Sequence, residues 1–118
     1  MIVKVTDYQQ VPATRFDNDA VNGVSGRVVI GKADGAPNFC MRVFELTPGG
    51  FTPRHQHAWE HEIFFHSGRG EVWQNDAWVP VKAGSVAFIP GDTEHQIKNS
   101  GPEQLTFVCL VPSGAPEL

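Results

Sequence analysis

The sequence predicts an all-β fold, a small sandwich or barrel, and three observations predict it. Short runs rich in Val, Ile, Phe, Thr and Trp recur along the chain: GRVVIG, FCMRVFELTPGG, HEIFFHSGRG, GEVWQNDAWVPV, GSVAFIPGD, HQIKNSG and QLTFVCLVP. Gly, Pro, Asn and Asp punctuate them at close intervals, as a strand-and-turn chain requires. No ten-residue stretch free of Gly and Pro carries a clear apolar repeat of three to four, so helix is expected to amount to a turn at most.

Taken in order, GRVVIG and FCMRVFEL read as the first strands, and Cys40 in the second reads as a reduced thiol filling core volume. In HEIFFH, alternation puts His61, Ile63 and Phe65 on one face and Glu62, Phe64 and His66 on the other. VWQNDAWV reads as a tight hairpin around Asn75 and Asp76, with Trp73 and Trp78 available for cross-strand packing. GSVAFIP and HQIKN supply two short strands. LTFVCLV supplies the last, with Phe107 and Cys109 on one face. Two cysteines outside any CxxC pair make no disulfide framework. The short strands and frequent turns close most naturally into a sandwich or barrel.

At 118 residues the chain suits one compact domain, residues 1–118. Nine basic and thirteen acidic residues give 9 − 13 = −4, without long runs of like charge. That balance argues against a nucleic-acid surface. The opening MIVKVTDYQQ has neither the apolar core nor the small-residue cleavage site of a secretory signal, and no segment reaches membrane-spanning length. A cytoplasmic protein with no nucleic-acid or membrane partner is expected.

Four of the five histidines fall between His55 and His66. His55 and His57, two apart, share a face if they lie on a strand, which makes HxH a natural two-ligand clamp. A third ligand must come from His61 or Glu62, since neighbours on a strand face opposite ways. HxH alone is weak evidence for a metal. Its context strengthens it, because a glycine-rich turn, TPGGFTPR, precedes the pair and His95 follows in IPGDTEHQIKN. Converging nitrogen donors of this kind suit first-row transition metals.

These residues resemble the cupins, a family of small β-barrels. The first cupin motif reads G, five residues, HxH, three or four residues, E, six residues, G. Here it runs from Gly49 through His55 and His57 to Gly68. The second reads G, five residues, PxG, two residues, H, three residues, N. Here it runs from Gly84 through Pro90 and His95 to Asn99. The resemblance implies a cupin-type double-stranded β-helix, or jelly roll, with motif 1 at about 49–68 and motif 2 at about 84–99. Two departures stand out. Asp92 occupies the glycine slot of the second motif, where the adjacent Gly91 is expected to supply the turn freedom. His61 occupies the slot of the usual glutamate, because the spacing to Gly68 fits His61 and not Glu62.

The resemblance therefore implies one divalent transition metal, Fe, Mn, Ni, Co, Cu or Zn, on His55, His57, His61 and His95. Four neutral imidazoles leave both charges of the ion uncompensated, which favours anionic ligands. It further implies a small-molecule ligand at the ion in the barrel interior, with Phe65, Phe107 and Cys109 as candidate walls of the pocket. A dioxygenase-like oxidoreductase is the leading expectation. The alternatives are a metal-dependent isomerase or lyase and a non-enzymatic ligand sensor. A homodimer is expected, because the apolar run MIVKV is an aggregation liability unless it pairs with something.

Overall fold

The computed structural model describes residues 2–118. Among the described residues, nine strands form the fold: β1 (Thr14–Phe16), β2 (Asn22–Ile30), β3 (Phe39–Phe51), β4 (His61–Ser67), β5 (Arg69–Gln74), β6 (Ala77–Lys82), β7 (Val86–Ile89), β8 (Gln96–Asn99) and β9 (Leu105–Pro112). Helix among the described residues is confined to two three-residue 3-10 turns, Tyr8–Gln10 and Lys32–Asp34. All pairings are antiparallel, in the order β6-β5-β8-β3-β9-β4-β7, with β2 on the other side of β3 and β1 on β2.

Strand β3 joins the two halves of the curl. Residues Phe39 to Leu46 pair with β9 on one side, while Phe51 at the far end pairs with Lys98 of β8. Between those ends the register against β2 jumps from Val24↔Leu46 to Asn22↔Phe51. Thr47, Pro48, Gly49 and Gly50 there stand opposite the single residue Gly23, so the glycine-rich segment read as a turn is an irregularity inside one long strand. Such bulges bend a strand and increase its twist, which is how one strand serves both halves of a barrel.

The hairpin falls where its sequence places it. Asn75 and Asp76 both have positive φ, 51° and 61°, as a type I′ turn requires. Trp73 and Trp78 are cross-strand partners with ring centroids 5.4 Å apart in an edge-to-face arrangement. Such a pair adds about 0.5–1.5 kcal/mol beyond its burial.

Alternation along β4 also holds residue by residue. His61, Ile63 and Phe65 are buried and Glu62, Phe64 and His66 exposed. Of the buried set, Ile63 and Phe65 join Leu46, Leu105, Phe107 and Ile97 in one core at the centre of the curl. Phe65 and Phe107 pack there with centroids 5.4 Å apart, each burial contributing about 1.5–3 kcal/mol.

The expected division of labour between Gly91 and Asp92 is corrected. Asp92 itself takes the left-handed conformation, φ 59°, which a short polar side chain tolerates. Gly91 has no positive φ and is needed for space, since a Cβ there would collide with the Ala58 carbonyl oxygen.

Candidate metal centre

His55 and His57 do not lie on a regular strand. They sit in the connection between β3 and β4, where Pro53 supplies no backbone donor. His55 forms an isolated antiparallel bridge with His95, with His55 N donating to His95 O (3.2 Å) and His95 N to His55 O (2.9 Å). Asp92 N donates to His57 O (2.6 Å) from the same neighbouring loop. Two loops from opposite halves of the fold are thus tied together by backbone bonds, and the histidines are presented from the tie. His61 reaches the same place from the first residue of β4.

Ligating atoms of His55, His57 and His95 all lie within 4.8 Å of one another, a group able to hold a metal ion. His61 adjoins it, with its Nε2 2.9 Å from Nε2 of His57 and its ring centroid 5.1 Å from that of His95. Two imidazoles at right angles on one ion, each about 2.1 Å away, would have their nitrogens about 3 Å apart. His66 faces solvent, bonded to Ser67 Oγ, and Glu62 is exposed.

Outer partners decide which nitrogens are free. His57 Nδ1 donates to the Trp59 carbonyl (2.8 Å) and His95 Nδ1 to the Thr93 carbonyl (2.9 Å). Both rings therefore turn an Nε2 lone pair toward the centre, the tautomer a ligand needs. The Trp59 indole also stacks on His57, at 4.1 Å and 6°. His61 differs. Its Nδ1 lies 3.2 Å from Arg42 Nη2 and 3.2 Å from Cys109 Sγ. A guanidinium only donates. Without an ion, His61 Nδ1 accepts from Arg42 and its Nε2–H is directed at His57. To serve an ion through Nε2, His61 must carry its proton on Nδ1, where Cys109 Sγ is the acceptor at hand.

Burial suppresses protonation of His55, His61 and His95. His61 is pushed from an ordinary 6.5 to about 3, first by burial and then by Arg42 and the neighbouring histidines. His55 and His95 are also lowered, chiefly by burial. Neutral imidazoles are what a metal requires. Stability follows with a definite sign. Between about pH 6.5 and pH 3 the unfolded chain holds a proton on this histidine that the folded chain refuses, so acidification favours unfolding. Metal-free protein is expected to melt at progressively lower temperature from about pH 7 to about pH 4, His61 contributing at most about 1.4 kcal/mol per pH unit. Thermal melts at constant ionic strength measure this, and an unchanged Tm would contradict it.

The histidines border a cavity of about 280 Å³ whose walls include Phe16, Phe44, Ile63, Phe107 and Cys109. Of the expected wall residues, Phe107 and Cys109 are there. Phe65 is fully buried, packs against Phe107 in the core and does not line the cavity. Alternation tells which face a residue occupies but not how deep it lies. The sequence reading missed Arg42, which lines the cavity between the histidines and Phe44. Its signal was present: in CMRVFEL, Cys40, Arg42, Phe44 and Leu46 share one face, so an arginine stands in an otherwise apolar inward row.

Comparison with known proteins supports the same frame. The family described as the cupin domain matches residues 42–111. The oxalate-binding protein of Thermotoga maritima is 35% identical over 68 residues, 57% of this chain and 56% of that protein. The 1-methylthio-D-xylulose 5-phosphate methylsulfurylase of Rhodospirillum rubrum is 37% identical over 73 residues, 60% of this chain and 46% of that protein. The chain thus spans about half the length of these relatives. Among solved structures, the polyketide cyclase RemF of Streptomyces resistomycificus superposes with a TM-score of 0.89 at 28% identity, covering 98% of this chain and 82% of that one.

Proposed function

Because the chain belongs to the cupin domain family, we propose that it is a metal-dependent enzyme acting on a small carbonyl-bearing molecule, with His55, His57, His61 and His95 holding the ion. The observation that carries this reading is the convergence of the histidine nitrogens on one point bordering an apolar cavity. When bound, a divalent ion supplies Lewis acidity toward a carbonyl or enolate oxygen. The chain's own residues do the rest. His57 and His95, locked by the Trp59 and Thr93 carbonyls, keep the donor set in place. Phe44, Phe107 and Ile63 exclude water from the ligand and orient its apolar body.

An ion on neutral imidazoles alone keeps its full charge, which favours anionic ligands and the lower oxidation state. That charge weighs toward the isomerase, lyase or cyclase class, ahead of the oxygen-using chemistry that was the leading expectation. Elemental analysis of protein purified without added metal, followed by a panel of small ketones and keto acids in D2O read by NMR, tests this. Hydrogen–deuterium exchange next to a carbonyl is the expected result. Oxygen uptake with a substrate and no such exchange would overturn the assignment in favour of the oxidoreductase.

The second part of the proposal is a homodimer in the cytoplasm. Ile2, Val3 and Val5 are 94%, 87% and 89% exposed, and Met1 of the same run lies outside the described residues. Phe64, Val86 and Phe88 form a further exposed apolar set on the outer face of β4 and β7, where Phe64 pairs with Val86 and Glu62 with Phe88. A second copy would cover such surface. Sedimentation equilibrium at micromolar concentration is expected to give twice the chain mass of 12.9 kDa, and a monomer would refute it.

A further inference from the structure

Arg42 carries a charge that the described residues do not neutralise. It lies on β3 opposite Cys109 of β9 and is only 7% exposed. Its guanidinium carbon sits 4.9 Å from the centre of the Phe44 ring. Nη2 donates to His61 Nδ1 (3.2 Å) and Cys109 Sγ (2.9 Å), and Nε is buried with no hydrogen-bond partner among the described residues. The ion pairs among those residues are Lys4–Asp34, Arg27–Glu45 and Lys98–Glu71, none involving Arg42. A guanidinium does not shed its proton, and a buried, unpaired charge is among the costliest features a fold can carry. Here the cation also borders the cavity.

We propose that Arg42 is an anion anchor, and that the cavity's ligand is a small monocarboxylate with an apolar, ring-sized body. With Nη2 committed to His61 and Cys109 and Nε sealed from the cavity, the N–H groups of Nη1 are left to receive a carboxylate, a group a guanidinium pairs with well. The apolar body lies against Phe44 and Phe107. A volume of about 280 Å³ admits a benzoate-sized molecule. This deepens the proposed function and rests on its reading of the cavity as the substrate site. It does not require the ion, because the charge it invokes belongs to the chain.

Titration calorimetry of the full chain with benzoate and with uncharged, similarly shaped benzamide tests the assignment, on chelator-treated and on zinc-loaded protein. Metal-free parent protein is expected to bind benzoate at least tenfold more tightly than benzamide. Arg42→Met is expected to abolish that preference while leaving benzamide unchanged, and Arg42→Lys to keep part of it. Equal affinity for the two probes, or undiminished benzoate binding by Arg42→Met, would overturn the anchor. Should Arg42→Met fail to give a cooperative melt, the parent's benzoate-to-benzamide ratio and the Arg42→Lys variant decide. Arg42-dependent benzoate binding by a protein that takes up no zinc would end the metal reading alone. Zinc uptake without the benzoate preference would end the anchor alone.

Discussion

His61→Ala protein, stripped of metal and titrated with zinc, is expected to bind the ion more weakly than the parent by more than the roughly 10–100-fold loss typical of an outer partner. Glu62→Gln is expected to bind it as the parent does. The two residues are chain neighbours, and only geometry separates them. His61 is buried, with Nε2 2.9 Å from Nε2 of His57, whereas Glu62 is exposed on the outer face opposite Phe88 and Leu110. Removing the imidazole deletes a donor and opens the site to water, while removing the carboxylate charge changes a surface position worth up to about 0.5 kcal/mol of stability. His66→Ala should also spare the metal, since His66 points outward with Glu62. Cys109→Val should fall between, within the outer-partner range, because it removes the acceptor His61 needs for its Nδ1 proton. Loss of zinc with Glu62→Gln and its retention in His61→Ala would place a carboxylate in the site, and the argument from uncompensated charge would fall with the four-imidazole set.

What made this prediction possible was strand parity, which is a local property and therefore legible in a sequence. The period of two in HEIFFH separated the two faces, the spacing to Gly68 selected the one that carries His61, and the Asn75–Asp76 turn was equally local, since both residues tolerate positive φ. Features that depend on distant partners were not legible. Nothing near TPGG says that β2 continues to pair beyond it, so a bulge in β3 reads as a turn. The placement of His55 depends on a bridge to His95, forty residues away in the chain. Gly91 is small because of the Ala58 carbonyl from another loop. The Pro116 and Leu118 side chains line the cavity although no periodicity marks them as anything but tail.

The glycines at the inner ends of the two motifs give the largest expected stability effect, and they separate two reasons for a glycine. Gly68, between β4 and β5, has φ +87°, and Gly84, before β7, has φ +90°. An alanine at either pays for a left-handed backbone, about 1–2 kcal/mol. At Gly84 that is the whole cost, because a Cβ there meets nothing within 4 Å. At Gly68 the Cβ would run into the Gln104 carbonyl oxygen and lie 2.9 Å from the Leu105 Cα. Those are backbone atoms at the start of β9, the strand that pairs with both β3 and β4, so the clash cannot be relieved by turning a side chain. Gly68→Ala is therefore expected to cost about 3 kcal/mol or more, against about 1–2 for Gly84→Ala. In a domain of this size that is a fall in Tm of about 10 °C or more for the first and roughly half that for the second. Equal losses would mean that the close approach to Leu105 relaxes freely and that φ alone explains both glycines. A smaller loss at Gly68 than at Gly84 would contradict the packing of β9 against the β4–β5 turn.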